Sequence, residues 1–478
     1  MIKKKILVEL SVILFLTFAI SFAQDKDTFR NNIQVKIDGY ASDTLFIGYH
    51  LGSKVYVKDT TFVKNDAGYF LFKSSDTLDA GLYMIIANPD NNYFEFLIPD
   101  QKEQNFTITA SIDSNHFFSN IKFTGSLENT MFTVYINFID SMGTEKKLIE
   151  KKLTESNVSN KPELEKRLEG IDQEVLKYQD AIILLSPDYF ISKFIKASKY
   201  PIIPESVRKN GQNSIFYYFR EHFWDEFDFG SQGLIRTAFL ENKLEYYITK
   251  LIVQQPDSII VGIDNVLGKI IDAGNKKVFQ FAVTHLLNKY ARSKVVCMDK
   301  VYVHIGSKYY CDNNQAWWIA EEQLQKICRN VDRLRFSTCG KFAPQMDLID
   351  VITNESVNLY AIKAKNTIVV FWDLKSKKSV VEIKILSKTY PPKISNEVEI
   401  FGVCNTKNES AEEYKNELTR LGVECINAYG ESSIIEKIFE LYNVTTYPTI
   451  FILDENKKII IKQVGSQDVI NYISRNNK

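Results

Sequence analysis

The chain has 478 residues, of which 45% are hydrophobic and 25% are charged, and these fractions are typical of a globular protein. Its length exceeds that of one ordinary domain, so two to four domains are expected. The 59 basic side chains equal the 59 acidic ones in number. This balance argues against a nucleic-acid-binding protein, which carries a basic excess or a basic stripe.

The N-terminus has the pattern of a secretory signal peptide. Lys3–Lys5 precede an apolar run from Ile6 to Ile20, and Ser21–Ala23 supplies small residues ahead of Gln24. A membrane anchor is the alternative, but the run is shorter than the roughly 20 residues that span a bilayer and it contains Glu9. The sequence therefore predicts a signal peptide over residues 1–23, cleaved on export.

The predicted location of the mature protein is the periplasm or cell envelope. No cysteine precedes Cys297, so we do not expect a lipoprotein. No later stretch is long and apolar enough to cross a bilayer, and the mature chain is expected to have no transmembrane segment.

Residues 24–126 have the pattern of a β-rich domain. Ile33–Asp38 alternates apolar and polar side chains, as a strand with one buried face does. Turn residues such as Asn88-Pro89-Asp90 separate further short apolar runs, which predicts a β-sandwich-like domain or an open barrel. The runs lie at 45–47, 55–57, 69–72, 82–86, 94–98, 106–108 and 121–123. This domain shows no catalytic constellation, so packing or partner contact is its expected role.

Residues 127–335 have helical periodicity and predict an all-α middle domain. Leu164, Leu168, Ile171 and Val175 form a stripe at i, i+4, i+7 and i+11, the mark of an amphipathic helix. Proline and glycine residues separate the helices expected after it. An aromatic cluster over 216–224 could be mistaken for a cofactor site, but its helical spacing favours core packing. The further helices are expected near 215–227, 235–253, 258–272, 277–292, 298–310 and 315–333.

Residues 336–478 alternate strands and helices and predict an α/β domain. Thr367–Trp372 is a continuous apolar run, as expected of a central parallel strand buried on both faces. Val398–Cys404 and Val423–Ile426 are the next two strands, with helices expected over 409–421 and 432–442. A closing hairpin leads into a final helix near Gln467, which gives a βαβαβ–α–ββ–α order with right-handed crossovers.

Three segments of this last domain carry a family resemblance. They are the opening loop Gly340–Pro344, the strand end Phe371-Trp372, and the loop Thr446–Thr449. With them the domain resembles the thioredoxin-like superfamily, in particular the envelope thiol–disulfide oxidoreductases of the TlpA and ResA type. The whole chain also resembles exported proteins that have an N-terminal β-domain of unknown function, a helical middle and a thioredoxin-like tail.

The active-site motif of that family is changed in this chain. Ser376 and Ser379 have the spacing of the CxxC cysteines and form an SxxS motif. A cysteine at a helix N-terminus ionises readily, whereas a serine needs a neighbouring base and cannot form a disulfide. No histidine follows His304. The sequence therefore predicts that this site carries no thiol–disulfide exchange.

Other residues near the motif are candidates for binding. Lys375, Lys377 and Lys378 are either solvated or part of an anion-binding spot at the helix N-terminus. The resemblance implies a cis peptide bond before Pro448, and it implies that the backbone of Tyr447 pairs with an extended peptide. The proline could instead be kept only for the fold. Trp372, at the end of the strand, completes the candidate binding residues.

The cysteines and histidines predict no cofactor and no metal centre. No pair forms a CxxC, and the five histidines are isolated in the sequence. Each cysteine is interpreted as a buried apolar side chain rather than a ligand. Three of them are the candidates for redox activity: Cys339, expected in an exposed loop, and Cys404 and Cys425, expected on neighbouring strands. The histidines are His50, His116, His222, His285 and His304.

Three functions remain open from the sequence. The first is a binding or scaffold module for an envelope protein or an extended peptide. The second is a thiol–disulfide oxidoreductase that uses one of the three candidate cysteines. The third is a structural component of an envelope assembly, with the β-rich domain as its contact surface.

Overall fold

A computed structural model describes residues 30–99, 104–115, 117–154, 160–312, 316–392, 397–406 and 410–476. The predicted signal peptide and His116 lie outside these ranges. The chain divides into two units, Met1–Lys243 and Leu244–Lys478. This division falls inside the segment predicted as one helical domain, residues 127–335, so the three-domain boundaries stay predictions.

The β-region of the first unit consists of two four-stranded sheets that share one core. Its strands are β1 (Asn31–Asp38), β2 (Leu45–Leu51), β3 (Lys54–Thr61), β4 (Phe70–Ser74), β5 (Gly81–Ala87), β6 (Asn92–Ile98), β7 (Gln104–Ile112) and β8 (Phe118–Thr124). The strand orders are β4-β1-β7-β8 and β3-β2-β5-β6. Alternate residues of β1 are buried, and they pack with apolar side chains from both sheets, as a β-sandwich requires.

The helices of the first unit follow directly after β8. They are α1 (Leu127–Leu153), α2 (Lys161–Leu185), α3 (Phe190–Ser198), α4 (Glu205–Arg208) and α5 (Gln212–Glu221), with a 3-10 segment at Gln232–Arg236. The next helix, α6 (Phe239–Tyr246), begins in the first unit and ends in the second. Ser126 caps α1, because its side chain accepts a hydrogen bond from the Asn129 backbone N–H. The Asn129 side chain also bonds the N–H and C=O of Leu97, at 2.6 and 2.9 Å. The Asn129 side-chain amide therefore links α1 to β6 by two hydrogen bonds.

The aromatic cluster of residues 216–224 is only partly core, which corrects the prediction from the sequence. Phe223 and Trp224 are buried, but Phe216 and Tyr217 are 40% and 57% exposed. The reason is that α5 has no buried residue, while the buried pair follows its end. Arg220 lies over the Tyr217 ring at 5.2 Å, so an exposed cation–π contact replaces the expected packing.

Lys243 is a buried cation in the first unit. Its side chain is 3% exposed, and Nζ donates to the carbonyl of Lys199 at 2.7 Å. The rings of Tyr200 and Phe223 lie 4.6 and 4.8 Å from the ammonium. Burial lowers the pKa of Lys243 to about 8, because the charged form loses its hydration.

Lys243→Met is expected to remove a pH-dependent loss of stability. The pKa of about 8 in the folded chain lies below the usual value of 10.5, so the unfolded chain binds the proton more tightly. The free energy of unfolding of the wild type should therefore rise with pH between these two values. Below the pKa of the folded chain, the loss of stability that comes from burying the charged ammonium is present in full. This group should contribute about 2 kcal/mol of that rise between about pH 7.5 and pH 9.5.

Urea unfolding at the two pH values measures the difference between wild type and Lys243→Met. Lys250→Met is the matched control, because Lys250 is exposed; it should keep the wild-type rise. Equal pH dependence in all three proteins would show that the buried ammonium does not lose its proton in this range.

The helices of the second unit carry two similar carboxylate clusters. The helices are α7 (Pro256–Asp272), α8 (Lys276–Ala291), α9 (Asp299–Gly306) and α10 (Glu321–Arg335), with π-helical turns at Tyr247–Leu251 and Ser307–Cys311. Glu245 accepts from His285 and Lys289, at 2.7 and 2.5 Å. Asp264 contacts His304 at 2.8 Å and Lys308 at 3.0 Å. Each residue of the second cluster lies 19 positions after its counterpart, which indicates a repeated packing arrangement.

The last part of the chain forms a seven-stranded sheet flanked by helices. Its strands are β9 (Asp347–Asp350), β10 (Ser356–Asn358), β11 (Asn366–Trp372), β12 (Val398–Cys404), β13 (Ile426–Tyr429), β14 (Thr449–Leu453) and β15 (Ile459–Lys462), and its helices are α11 (Lys377–Thr389), α12 (Ala411–Leu421), α13 (Ser432–Leu441) and α14 (Ser466–Asn476). The order is β10-β9-β13-β12-β11-β14-β15. Every residue of β11 is buried, and separate cores cover the two faces of the sheet.

The order of elements from β11 to α14 confirms the predicted βαβαβ–α–ββ–α arrangement. Strands β11, β12 and β13 run parallel, and β14 and β15 are antiparallel to their neighbours. The hairpin of β9 and β10 was not predicted, because its two strands have only four and three residues. The third parallel strand starts at Ile426, whereas the sequence placed it at 423–426.

Two disulfides pair four of the cysteines that the sequence analysis interpreted as buried apolar side chains. Cys297 bonds Cys339, and Cys311 bonds Cys328. Cys339 was expected in an exposed loop, but it is 8% exposed and packs in a core of the sheet. The Cys297–Cys339 bond connects the start of α9 to the opening loop of the α/β region.

A buried ion pair lies in the same part of the second unit. Lys462 at the end of β15 is 3% exposed. Its Nζ donates to the Ser337 carbonyl at 2.9 Å and lies 2.5 Å from a carboxylate oxygen of Asp299. Removing one partner of such a pair leaves a buried charge without compensation, which costs several kcal/mol.

Within the described ranges, no helix combines the length and apolar character needed to cross a membrane.

Candidate functional site

The site begins where β11 ends, at Trp372. The Trp372 ring is fully buried, packs edge-on against Tyr414 at 5.0 Å, and donates its Nε1–H to Asn427 at 3.0 Å. The sequence predicted that Trp372 is a binding residue. The structure corrects this, because a side chain with no exposed surface and a satisfied N–H supports the loop rather than contacting a ligand.

A buried carboxylate shapes the loop between β11 and α11. Asp373 is 7% exposed. One of its carboxylate oxygens accepts from the Lys375 backbone N–H at 2.8 Å, and the other accepts from the Asn405 side chain at 2.6 Å. Its own carbonyl accepts from the Ser376 N–H at 3.1 Å. The sequence reasoning missed Asp373; the available signal was an acidic residue directly after a buried strand.

The two serines of the SxxS motif lie at the start of α11. Ser376 is the N-cap, and its Oγ accepts from the Ser379 N–H at 3.2 Å. The same hydroxyl donates to the carbonyl of Tyr447, also at 3.2 Å. Ser379 has no exposed surface, and its hydroxyl has no hydrogen-bond partner among the described residues. Ser376 thus satisfies polar groups of the backbone, while Ser379 occupies an enclosed position.

The three lysines beside the motif extend into solvent. Lys375, Lys377 and Lys378 are all exposed. The pKa of Glu413 is lowered by hydrogen bonds from Ser410, and the charge of Lys375 contributes to the same shift. Lys375 therefore lies close enough to α12 for its charge to act on the Glu413 carboxylate.

The loop before β14 lies against the start of α11. The peptide bond between Tyr447 and Pro448 is cis, and the Tyr447 carbonyl receives the Ser376 hydroxyl. The Tyr447 ring is half-buried and lies 5.9 Å from the Phe439 ring. Burial raises the pKa of Tyr447, and the nearby Asp373 carboxylate adds to the shift. The structure therefore places Ser376 beside Tyr447 and Pro448.

A cleft of about 350 Å³ opens beside Tyr447. Its walls combine apolar side chains, including Phe439, with polar ones from Ser432 and Asn405. Arg333 of α10 stands at its rim and donates to the Asn443 side chain at 3.1 Å. The sequence reasoning did not find this cleft, because its residues come from α10, α13 and two loops that are far apart in the chain.

The two remaining cysteines are free, so the pairing considered between Cys404 and Cys425 does not form. Phe401 of β12 lies opposite Ile426 of β13, so Cys425 precedes the paired stretch while Cys404 lies beyond it. Burial raises the pKa of Cys404 well above its ordinary value and that of Cys425 to about 12. Both thiols are therefore protonated at neutral pH, and a protonated thiol is a poor nucleophile.

Four histidines lie within the described ranges, and each contacts a carboxylate rather than another histidine. The partners of His50 and His222 are Glu95 and Asp225, at 2.9 and 2.6 Å. The other two belong to the Glu245 and Asp264 clusters. In the part of the chain that the structure describes, no group of three or more His, Cys, Asp or Glu side chains could hold a metal ion.

Comparisons with known proteins find one matching family and a set of similar solved structures. Residues 135–337 match a family described as "Domain of unknown function (DUF5106)". Similar solved structures include thioredoxin-like proteins and thiol–disulfide oxidoreductases from Bacteroides. A comparison with curated proteins gives no match.

Three of these solved structures illustrate the likeness. The thioredoxin domain of a thiol-disulfide oxidoreductase from Bacteroides vulgatus is 25% identical, with 29% of this chain and 96% of that chain covered and a TM-score of 0.27. A thioredoxin-like protein from Bacteroides caccae is 16% identical, with coverages of 58% and 97% and a TM-score of 0.40. A domain of a possible thiol-disulfide isomerase from Cytophaga hutchinsonii is 21% identical, with coverages of 29% and 92% and a TM-score of 0.26.

Proposed function

We propose that residues 336–478 form a binding module for an extended peptide or a partner protein, without thiol–disulfide exchange at Ser376 and Ser379. The observation that carries this proposal is the hydrogen bond between the Ser376 hydroxyl and the Tyr447 carbonyl. A hydroxyl stands beside the Tyr447–Pro448 loop, in the position where the resembling oxidoreductases have a thiol.

The surroundings of Ser376 support the absence of covalent chemistry. A serine becomes a nucleophile when a neighbouring base removes its proton. The Ser376 hydroxyl donates to a backbone carbonyl, which is not such a base, and the Asp373 carboxylate hydrogen-bonds the Lys375 N–H and the Asn405 side chain. Ser379 is fully buried. Neither hydroxyl therefore has the partner that activation requires.

The Tyr447 loop and its cleft support binding. An extended peptide pairs through its main chain with an exposed backbone edge and places side chains in adjoining pockets. The cleft beside Tyr447 has room for one large side chain, with the Phe439 ring in its wall. Glu436 and Glu440 line it together with Arg333, so a polar or basic neighbour of that side chain would find a carboxylate.

The two other functions have less support. An oxidoreductase that uses Cys339, Cys404 or Cys425 would need an accessible thiolate, whereas Cys339 is in a buried disulfide and the other two thiols have raised pKa values. A structural role of the β-region as a contact surface is compatible with the sandwich, but no described feature favours it over binding at Tyr447.

The location that we propose is the periplasm or cell envelope. Its basis is the sequence of residues 1–23, with a basic start, an apolar run and small residues before the cleavage point. The two disulfides support this location, because disulfides persist in oxidising compartments.

Binding is tested with the full chain and a labelled, S-alkylated insulin B chain as the extended peptide. Ser432→Trp places a large ring in the cleft, because Ser432 lines it. We expect this variant to weaken binding about tenfold, or about 1.4 kcal/mol, when fluorescence anisotropy is measured. Ser433→Trp is the matched control, since Ser433 is exposed in the same turn of α13 and is absent from the cleft lining.

An insulin-reduction assay tests the absence of exchange in the same preparation. The wild type should stay at the background rate. Reduction at rates ordinary for thioredoxin-like enzymes would overturn this part of the proposal. If both tryptophan variants bind the peptide like the wild type, the cleft is not the binding site.

A further inference from the structure

Helix α11 presents a continuous face to solvent. Six exposed residues of the helix lie at i, i+1, i+4, i+7, i+8 and i+11, which places them within an arc of about 120° around the helix axis. Four are lysines and two are aliphatic. We call this the α11 basic face: Lys377, Lys378, Val381, Lys384, Ile385 and Lys388.

Neighbouring carboxylates offset little of the positive charge on the α11 basic face. The one carboxylate of α11, Glu382, is turned aside and accepts from the Ser466 backbone N–H at 2.6 Å. Helix α14, which packs beside α11, exposes Asp468 and Arg475, whose charges cancel. On the α12 side, Glu413 interacts with Lys375, which lies outside the six residues.

This arrangement does not serve the stability of the helix. Lys377 and Lys378 lie in the first turn, where the helix dipole disfavours a cation by about 0.3–1 kcal/mol each. Val381 and Ile385 are 55% and 41% exposed, so they add little to the core. Two unfavourably placed lysines beside an exposed aliphatic pair are better explained by contact with a partner than by helix stability.

We propose that the α11 basic face docks an acidic, amphipathic segment of a partner protein. Two apolar side chains of such a segment, one helical turn apart, would cover Val381 and Ile385. Carboxylates on both sides of them would reach the four lysines, and complementary charge of this kind raises the association rate and fixes the register. This surface is separate from the Tyr447 cleft and does not depend on peptide binding there.

A protein segment fits this face better than an anionic bilayer does. Membrane-surface helices bury a wide apolar face that carries aromatic and leucine side chains. The α11 basic face has two short aliphatic side chains and no aromatic one.

The test uses the full chain and a fluorescein-labelled synthetic helix of about 14 residues, long enough to cover α11, with leucine pairs flanked by glutamates. Lys384→Glu with Lys388→Glu should weaken its binding at least tenfold and reduce the dependence on salt concentration. Val381→Ser with Ile385→Ser should weaken binding and leave the salt dependence unchanged. Lys341→Glu with Lys437→Glu is the matched control, because both lysines are exposed outside α11; binding should remain as in the wild type.

Circular dichroism verifies that every variant is folded. The insulin B chain should bind the Lys384→Glu, Lys388→Glu protein as it binds the wild type, which separates the two surfaces. The proposal is overturned if the acidic helix does not bind. It is also overturned if the charge reversals on α11 and those in the control weaken the binding of this helix equally. It is also overturned if phosphatidylglycerol vesicles, rather than the helix, bind in a manner that depends on Lys384 and Lys388.

Discussion

The double substitution Ser376→Cys and Ser379→Cys is expected to give this protein thiol–disulfide reductase activity, which we propose that the wild type does not have. Ser376 caps α11 and lies against the Tyr447 carbonyl, so a sulfur there would stand at the positive end of a helix. Such a position lowers a thiol pKa to roughly 3.5–7.5, and the charges of Lys375, Lys377 and Lys378 act in the same direction. The thiol introduced by Ser376→Cys would therefore be ionised at neutral pH.

The position of Ser379 favours a sulfur as well. Its hydroxyl is buried without a hydrogen-bond partner among the described residues, and leaving a buried polar group unpaired costs about 1–3 kcal/mol. A thiol is a weaker donor and acceptor, so it loses less there. Against this, Ser376→Cys gives up the N-cap hydroxyl, at a cost of about 1 kcal/mol.

The insulin-reduction rate measures the gain, which should be about 100-fold or more over the wild type, equal to about 2.7 kcal/mol of transition-state stabilisation. Each single cysteine variant is a control, because turnover requires both sulfurs. A double variant with two titratable thiols and no activity would show that the surroundings of the motif, and not only its serines, prevent exchange.

Removing the Cys297–Cys339 disulfide is expected to cost more stability than removing the second disulfide of the same unit. The bond closes a loop with a sequence separation of 42 residues, and the chain-entropy relation gives about 4 kcal/mol for a loop of this length. The double variant Cys297→Ser, Cys339→Ser should lose about that much free energy of unfolding in urea. Cys339 is also buried, so an unpaired serine hydroxyl adds to the loss.

The second disulfide supplies the comparison. Cys311 and Cys328 are separated by 17 residues, so Cys311→Ser with Cys328→Ser should cost about 3 kcal/mol by the same relation. A loss below about 1 kcal/mol for the Cys297 and Cys339 variant would mean that the rest of the unit already restrains this loop in the unfolded chain.

Local patterns in the sequence predicted most of the fold. Alternation in Ile33–Asp38 and the unbroken apolar run Thr367–Trp372 each indicate a strand and how much of it is buried, because these properties depend on neighbouring residues only. The SxxS motif and the Tyr447 loop were identified by the family resemblance. Their contact, through the Ser376 hydroxyl, follows from the sheet that positions both.

Features that depend on distant partners were missed. The cysteine at 297 pairs with one 42 positions later, and nothing in the spacing indicates it. Helical spacing could not distinguish Phe216 and Tyr217, which are exposed, from Phe223 and Trp224, which are buried, because burial depends on where the helix lies. Trp372 was likewise predicted to bind a ligand, because the sequence does not show that a distant tyrosine and a distant asparagine enclose its ring.

The buried Lys462 has a consequence for dividing this protein into fragments. A fragment starting at residue 336 would keep Lys462 but lose Asp299, its ionic partner, and Cys297, the partner of Cys339. Its interior would then hold the Lys462 ammonium without its carboxylate partner, and Cys339 would carry a free thiol in place of the disulfide. Activity or aggregation measured on this fragment would reflect those two changes as well as the domain itself. A truncation meant for biochemical work should therefore keep Asp299 and Cys297.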